Sequence, residues 1–444
     1  MSIQIGVVSL GCAKNLVDTE IMLGYLTKQG YELVSDPASA DFIIVNTCGF
    51  IEAAKEESIG AILEMAEMKK SGSCRGLIVT GCLSQRYADD LFREIPEIDG
   101  LLGTNELDRV GDVIDGILRG ERVRDVSNRF FSYEEDYNRV VTTGSHLAYL
   151  KIAEGCSHSC AFCVIPKIRG KYRSRTPEAV IREARSLARQ SVKELVVIAQ
   201  DTTAYGYDLP KEMEASLTSL LQSLSQLDFA WIRLLYTYPT SLSDEVLHLI
   251  QSQEKMVKYV DLPLQHVSGK ILRKMKRPGD YDSTVRLITK IREMIPGVTI
   301  RSSFIVGFPG ETEADFRELL SFLEEMRLDH VGIFKYSQEE DTTAFSLEQQ
   351  IPEGEKERRY KAAMELQQRI SLKLNQKLVG REVDVIIDGV SDESDLVLVA
   401  RHAGQAPDVD GVVYLGQSDV EIGQIVRVRI VEAHPYDLVG EVVE

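Results

Sequence analysis

The most constraining feature of the sequence is an alternation of strand-like and helical stretches between residues 147 and 335. Six short apolar runs recur there, namely LAYLKIA, ELVVIA, WIRLLY, VKYVDLP, VTIRSSFIV and HVGIFKY, and helical patterns lie between them. Strands that alternate with helices predict a parallel sheet with crossover helices. Six units are too few for a complete eightfold barrel, so the segment predicts an α/β fold with an incomplete (β/α)6 barrel.

Different patterns flank this predicted barrel. Residues 1–127 contain the strand-like runs IQIGVVSL, ADFIIVNTC and RGLIVTGC between helical stretches, which predict an N-terminal parallel α/β sheet domain. The polar residues 128–146 predict a linker, and the barrel with a charged connecting helix is expected over 147–378. Residues 379–444 turn to short Val- and Ile-rich runs separated by Gly, Asp and Pro, which predict a small antiparallel β-barrel.

Composition limits the functional classes. The 444 residues are 44% hydrophobic and 27% charged, and the longest apolar runs are too short to cross a membrane. The N-terminus before Cys12 carries no Lys or Arg and alternates like a strand, so we expect no signal peptide and a cytoplasmic protein. The net charge of -18 would repel most nucleic acid and attract a basic protein partner.

Three cysteines, Cys156, Cys160 and Cys163, follow the first barrel strand in EGCSHSCAFCVIP, at the spacing C-x3-C-x2-C. Barrels place their chemistry at this end of the strands. A structural zinc takes four protein ligands, so three thiols leave one ligand to be found elsewhere or one position open. A [4Fe-4S] cluster held by three cysteines would keep one iron free to bind a small molecule. Zinc with His158 or a distant residue as its fourth ligand is the alternative.

Three further cysteines, Cys12, Cys48 and Cys82, each end an apolar strand-like run. The carboxyl ends of parallel strands share one edge of a sheet, so these thiols can converge on a second cluster. The alternative is three buried small residues, because free cysteine is often merely packed. Cys74, in the polar stretch SGSCRG, does not fit this pattern, and we expect it to be exposed and without a role.

The C-x3-C-x2-C motif, with Phe162 before its last cysteine, resembles that of the radical S-adenosylmethionine (SAM) superfamily. The resemblance implies that the free iron binds SAM and that an electron from a low-potential donor cleaves it to a radical. It also implies that the strand ends at Gln200, Gln265 and Gly307 hold parts of SAM. From the residues alone, the stretches LPLQH and GFPGE could equally be an ordinary strand exit and an ordinary turn.

The order of a three-cysteine domain, a radical barrel and a small β-barrel resembles the methylthiotransferase family over nearly the whole chain. In that family a second [4Fe-4S] cluster carries the sulfur, one SAM supplies the methyl group and another supplies the radical. The last segment resembles the TRAM domain of the family, with ARHAGQAPDVDG at 400–411 as its most recognisable stretch.

Two branches of this family compete. One modifies a tRNA adenosine next to the anticodon, and the other an aspartate β-carbon of small-subunit ribosomal protein twelve. The stretch GCAKNLVDTE at 11–20 is similar to the second branch, with Thr19 where we would expect Ser. Residues 380–444 carry 14 acidic against 4 basic residues, which suits a basic ribosomal protein and makes a dominant RNA contact unfavourable. A tRNA methylthiotransferase and a non-catalytic iron-sulfur carrier are the alternatives.

Overall fold

The computed structural model describes residues 2–72, 74–127, 129–133 and 139–443. Its elements form three consecutive groups, each with its own sheet or barrel. Within these four ranges, no helix is both long and apolar enough to cross a membrane.

The N-terminal group is a parallel sheet with helices between its strands, as the sequence predicts. The strand order is β2-β1-β3-β4-β5-β6, and every neighbouring pair is parallel. All side chains of β3 and β4 are buried, which explains their continuous apolar runs. The elements are β1 (Gln4–Ser9), α1 (Ala13–Lys28), β2 (Glu32–Val34), β3 (Phe42–Thr47), α2 (Glu52–Ser71), β4 (Gly76–Gly81), α3 (Cys82–Glu94), β5 (Ile98–Leu102), α4 (Val110–Leu118) and β6 (Val123–Asp125).

The central group contains the six predicted parallel strands, in chain order. They are β7 (Leu147–Lys151), β10 (Glu194–Ile198), β11 (Trp231–Leu234), β12 (Tyr259–Asp261), β13 (Thr299–Val306) and β14 (His330–Lys335). The first three form one sheet and the last three another, and a parallel bridge between Ile232 and Met256 lies where the two meet. The arc is therefore an incomplete barrel, as expected.

Helices and one short strand pair complete this group. The antiparallel pair of β8 (Ala153–Glu154) and β9 (Arg173–Ser174) brackets the cysteine loop and was not predicted. The helix α6 begins where the Thr176 side chain accepts a hydrogen bond from the Ala179 N–H. The helices are α5 (Ile165–Ile168), α6 (Pro177–Arg189), α7 (Leu217–Ser225), α8 (Asp244–Ser252), α9 (Gly269–Lys274), α10 (Tyr281–Met294), α11 (Glu313–Met326) and α12 (Glu353–Asn375).

The C-terminal group is a closed barrel in the order β15-β16-β17-β19-β18. Its neighbours are antiparallel except β17 and β19, which are parallel. A ring with an odd number of strands cannot alternate direction throughout, so closure requires one parallel pair. The antiparallel prediction is therefore wrong for this pair and right for the others. The strands are β15 (Glu382–Ser391), β16 (Ser394–His402), β17 (Val413–Gly416), β18 (Ile425–Ala433) and β19 (Leu438–Val442).

The loop between β16 and β17 packs against strands of the central barrel. Ala406 is fully buried there. The hydroxyl groups of Tyr149 and Tyr259 donate to Asp408 and Asp410 of this loop, at 2.6 and 2.5 Å. These contacts attach the terminal barrel to the central barrel.

The predicted linker packs against its neighbours where the structure describes it. Positions 128 and 134–138 of this segment lie outside the described residues. Phe131 and Tyr133 are buried in a core to which all three groups of elements contribute. The Arg139 guanidinium forms ion pairs with Glu20 of α1 and Glu183 of α6. The segment therefore ties the N-terminal sheet to the central barrel.

Candidate functional site

The first cysteine triplet lies in the loop between β8 and α5, above the central barrel. The Cys156 N–H donates to the Gly170 carbonyl at 3.1 Å, and the Cys163 N–H donates to the Cys160 carbonyl at 3.1 Å. The Ala161 N–H, between the last two cysteines, donates to the Met275 carbonyl at 2.8 Å. These backbone bonds fix the shape of the loop and attach it to the end of α9.

The thiols of this triplet lie close enough to affect one another. Burial raises the pKa of Cys163 to about 12, and negative charge on Cys160 and Cys156 adds to the shift. Burial also raises the pKa of Cys156 to about 11, with Cys160 again contributing. Neighbouring thiolates repel one another, so a bound cationic group is needed to stabilise all three. The iron atoms of an iron-sulfur cluster provide such a group. The donor set therefore fits a cluster.

His158, one of the possible fourth ligands in the zinc alternative, contacts other side chains. Its Nε2 lies 2.6 Å from the Asp201 carboxylate, and its ring stacks on Tyr238 at 3.8 Å between centroids. Across the described residues, no three His, Cys, Asp or Glu side chains are arranged so that they could hold a metal ion. Ligands of one zinc ion must converge on a point, whereas a four-iron cluster binds each thiolate through a different iron. His158 is held by Asp201 and Tyr238.

The three residues predicted to contact SAM lie after strands of the same barrel. Gln200 donates from Nε2 to Glu154 at 3.0 Å, while its buried Oε1 has no hydrogen-bond partner among the described residues. Gln265 has φ of 70°, an uncommon backbone conformation that is frequent at functional sites. Gly307 has φ of 75°, and an added Cβ would overlap the Lys356 side chain. The unpaired Gln200 Oε1 leaves a hydrogen-bond acceptor for a ligand, whereas the space beside Gly307 is occupied by the Lys356 side chain.

The second triplet lies at the carboxyl edge of the N-terminal sheet. Cys12, Cys48 and Cys82 follow β1, β3 and β4, which are neighbours in the sheet. A Cβ at Gly11 would lie 2.9 Å from the Cys48 Cβ, so glycine lets the Cys12 loop approach Cys48. The structure brings these three strand ends together.

The thiols of this second triplet also lie close enough to act on one another electrostatically. Burial raises the pKa of Cys82 to about 11, Arg169 opposes the shift, and negative charge on Cys12 and Cys48 adds to it. Burial also acts to raise the pKa of Cys12, but Lys14 and Arg169 outweigh it and the net shift is downward. A lowered thiol pKa favours the thiolate, which is the form that binds metal.

Cys74 lies at the opposite edge of the sheet, before β4 begins. Its thiol donates to the Gly76 carbonyl at 3.4 Å, and its side chain is half-buried. The expectation that Cys74 is exposed is therefore wrong, because the thiol packs under the sheet edge. Its distance from the other strand ends agrees with its exclusion from the triplet.

Two buried residues join the triplets, and sequence analysis did not identify them. Arg169 donates from Nη2 to the Cys82 sulfur at 3.4 Å, and from Nη1 to Asp18 at 2.7 Å and Glu154 at 3.1 Å. Glu154 also accepts the Gln200 amide. Although burial acts to raise it, Lys151 and Arg169 hold the pKa of Glu154 well below its usual range. Hydrogen bonds therefore run from Cys82 to Gln200.

The chain after β11 touches residues beside both triplets. Tyr236 has φ of 60°, and the Lys14 Nζ lies 3.1 Å from the centroid of its ring. Two residues later, Tyr238 stacks on His158, and the Arg277 guanidinium lies 4.2 Å from the Tyr238 ring. The two triplets therefore open onto the same junction between the sheet and the barrel. The position of Lys14 beside Cys12 was the only sequence signal for these contacts.

Three family models match consecutive parts of the chain. Residues 4–103 match an uncharacterized protein family, UPF0004, residues 150–323 match the Radical SAM superfamily, and residues 379–443 match the TRAM domain. Each match falls within one of the three groups of elements.

Solved structures resemble the fold at low sequence identity. The radical SAM methyltransferase TsrM from Kitasatospora setae, solved with cobalamin and a [4Fe-4S] cluster, has a TM-score of 0.56 and 16% identity over 76% of this chain and 72% of that one. The cobalamin-dependent SAM radical enzyme OxsB has a TM-score of 0.50 and 13% identity over 78% of this chain and 54% of that one. At these identities the likeness shows the fold alone.

Curated relatives resemble the sequence over its full length. The Syntrophotalea carbinolica protein named ribosomal protein uS12 methylthiotransferase RimO is 48% identical to this chain, over 99% of this chain and 97% of the relative. The protein of the same name in Geobacter sulfurreducens is 47% identical, over 99% of this chain and 98% of the relative. With both triplets in place and this similarity from end to end, the chain belongs to the RimO family of ribosomal protein uS12 methylthiotransferases.

Proposed function

We propose that this chain inserts a methylthio group at the β-carbon of an aspartate of ribosomal protein uS12, using two [4Fe-4S] clusters. The observation that carries the proposal is the pair of cysteine triplets, from two different sheets, that open onto one junction. Full-length similarity to proteins named for uS12 supports this substrate over tRNA. A catalytic barrel with its own ligand site also argues against a bare iron-sulfur carrier.

The first triplet would hold the cluster that reacts with SAM. Cys156, Cys160 and Cys163 supply three thiolates, and the cluster, when bound, supplies the electron that cleaves SAM. The unpaired Gln200 Oε1 is a hydrogen-bond acceptor for SAM, and Glu154 orients it through the Nε2. Gln265 and Gly307 would complete the SAM site at the next strand ends.

The second triplet, Cys12, Cys48 and Cys82, would hold the cluster that carries the sulfur. Arg169 donates a hydrogen bond to the Cys82 sulfur and so stabilises negative charge there. Lys14, Asn15 and Asp18 of α1 are buried beside this site, whereas Cys12 itself is exposed. One SAM would serve as methyl donor and a second as the source of the radical.

The partners follow from charge and chemistry. A low-potential electron donor is required, and the acidic C-terminal barrel would attract a basic ribosomal protein rather than RNA. Because the substrate is a ribosomal protein, we place the reaction in the cytoplasm.

Anaerobic reconstitution of the full chain with iron and sulfide tests this proposal. With a low-potential reductant, SAM and isolated uS12, we expect 5′-deoxyadenosine and a mass increase of one methylthio group on an aspartate. Methylthiolation of a tRNA anticodon hairpin instead of uS12 would favour the tRNA alternative. Failure to form any 5′-deoxyadenosine would favour the carrier.

A further inference from the structure

Lys14 is a buried cation without an acidic partner. It lies in the first turn of α1, its residue is 8% exposed, and its ammonium nitrogen lies 3.1 Å from the centroid of the Tyr236 ring. Among the described residues, its electrostatic neighbours are Tyr236, Cys12 and the cationic Arg169, and no carboxylate is among them. The Tyr236 side chain therefore holds the Lys14 ammonium, both through its ring face and through a hydrogen bond.

Most other buried cations among the described residues are paired with carboxylates, although Arg277, which lies beside Cys160 and over the Tyr238 ring, is not. Lys151 contacts Asp18 and Glu154, and Arg301 lies 3.1 Å from Asp261. Burial of a charge without a counter-charge is costly, so proteins usually pair it or reserve it for a ligand of opposite charge. Lys14 stabilises the Cys12 thiolate but has no carboxylate partner among the described residues, so its ammonium can also receive a carboxylate from a ligand.

The position of Lys14 narrows the identity of that anion. Lys14 is two residues from Cys12, and the Tyr236 it contacts is two residues from Tyr238, which stacks on His158 of the other triplet's loop. The backbone at Tyr236 is held at φ of 60°, a conformation that costs energy and is found mainly at functional sites. The ammonium therefore lies between the sulfur-carrying triplet and the radical triplet.

We propose that Lys14 determines specificity for aspartate, by binding the side-chain carboxylate of the substrate. This inference rests on the function proposed above. The carboxylate carbon of the aspartate side chain is bonded directly to the β-carbon. A contact that holds the carboxylate therefore also positions the β-carbon. The Tyr236 ring keeps the ammonium pointed at the junction through a cation–π contact. A neutral asparagine would gain little from the same site.

The test compares two uS12 peptides that differ only at the target residue, aspartate in one and asparagine in the other. Their binding to the anaerobically reconstituted chain is measured by calorimetry. Wild type should bind the aspartate peptide roughly 10- to 100-fold more tightly, as expected for a buried charge pair. Lys14→Met should abolish that difference, and Lys14→Arg should keep part of it.

Lys28→Met is the matched control, because Lys28 is an exposed lysine in the last turn of the same helix. It should leave the preference for aspartate unchanged. Iron content and SAM cleavage, measured for each variant, show whether the two clusters are intact.

Each outcome either supports or overturns the proposed role of Lys14. Full preference for aspartate in Lys14→Met overturns the proposal, and so does equal binding of both peptides by wild type. Loss of iron in both Lys14→Met and Lys14→Arg would assign Lys14 to the cluster and would also overturn it. If wild type cleaves SAM but neither binds nor modifies uS12, the proposed function itself fails, which is a distinct result.

Discussion

At the scale of single residues, the cysteines of the two triplets lie on two separate sheets. Cys12, Cys48 and Cys82 lie on the N-terminal sheet, and Cys156, Cys160 and Cys163 lie above the central barrel. Loss of a cysteine from one triplet should therefore leave the other triplet able to bind its cluster.

We expect replacement of Cys156, Cys160 or Cys163 by alanine to abolish cleavage of SAM while about half of the iron remains. Replacement of Cys12, Cys48 or Cys82 should leave 5′-deoxyadenosine formation intact and stop methylthiolation of uS12. The measurements are iron content, 5′-deoxyadenosine and the mass of uS12. Cys74→Ala is the control and should match wild type. An indispensable Cys74 beside a dispensable Cys82 would contradict the assignment.

At the scale of elements, α6 is fixed to the barrel through a buried ion pair. Glu183 accepts from Arg139 at 2.8 Å and from Arg175 at 2.6 Å. Burial acts to raise the pKa of Glu183, but Arg175 and Arg139 outweigh it and lower the pKa to about 2 from an ordinary value of 4.5. A carboxylate with a lowered pKa stabilises the fold above its unfolded pKa, and this contribution is lost as the pH falls towards its folded pKa.

Glu183→Gln should therefore destabilise the chain by about 3 kcal/mol at neutral pH, because it leaves two buried guanidinium groups short of negative charge. The difference from wild type should shrink as the pH falls from 4.5 to about 2. Urea denaturation midpoints at several pH values give this difference. Glu178→Gln, on the exposed side of the same helix, is the control. A difference that does not depend on pH would contradict the account.

The hairpin of β15 and β16 is the element that presents the acidic charge of the terminal barrel. Asp392, Glu393 and Asp395 are exposed at its tip, beside Leu396, which is 61% exposed. By contrast, Asp408 and Asp410 accept hydrogen bonds from tyrosine hydroxyls inside the molecule. The field that an approaching partner meets therefore comes partly from this tip.

Reversal of Asp392, Glu393 and Asp395 to Lys should slow association with uS12 and flatten its dependence on salt, without loss of iron. Long-range attraction between a basic partner and exposed acids acts mainly on the association rate. The measurement is a salt series of association rates for wild type and variant. Reversal of Asp419 and Glu421, exposed in the connection from β17 to β18, is the matched control. Unchanged rates in the hairpin variant would show that the tip is only a solvated loop.

At the scale of the whole molecule, Arg169 connects the two sheets that carry the triplets. It reaches Cys82 and Asp18 of the N-terminal group from the end of α5, and it also contacts Glu154 of the central group. A hydrogen bond to a cluster-bound sulfur favours the more negative, reduced state and so raises the reduction potential.

Arg169→Lys should therefore lower the potential of the second cluster by roughly 60 mV, the one-electron equivalent of a charge-assisted hydrogen bond. The potential of the first cluster should not move. Redox titration followed by electron paramagnetic resonance separates the two clusters. Lys167→Met removes an exposed cation two residues away, paired with Asp341 at 2.9 Å, and should change neither potential. An unshifted second cluster would contradict this role for Arg169.

Local periodicity and residue spacing predict the strand and helix alternation, the six-strand arc and the two cysteine triplets that follow strands. Which distant groups meet depends on how the three groups of elements pack. Arg169 and Cys82 are 87 residues apart, and the Tyr149 hydroxyl reaches an aspartate 259 residues away. Periodicity shows which face of an element is apolar, but it does not identify the partner across a buried junction. The parallel pair of β17 and β19 and the contact of Lys14 with Tyr236 therefore became visible only when closure of the barrel and packing of the three groups were known.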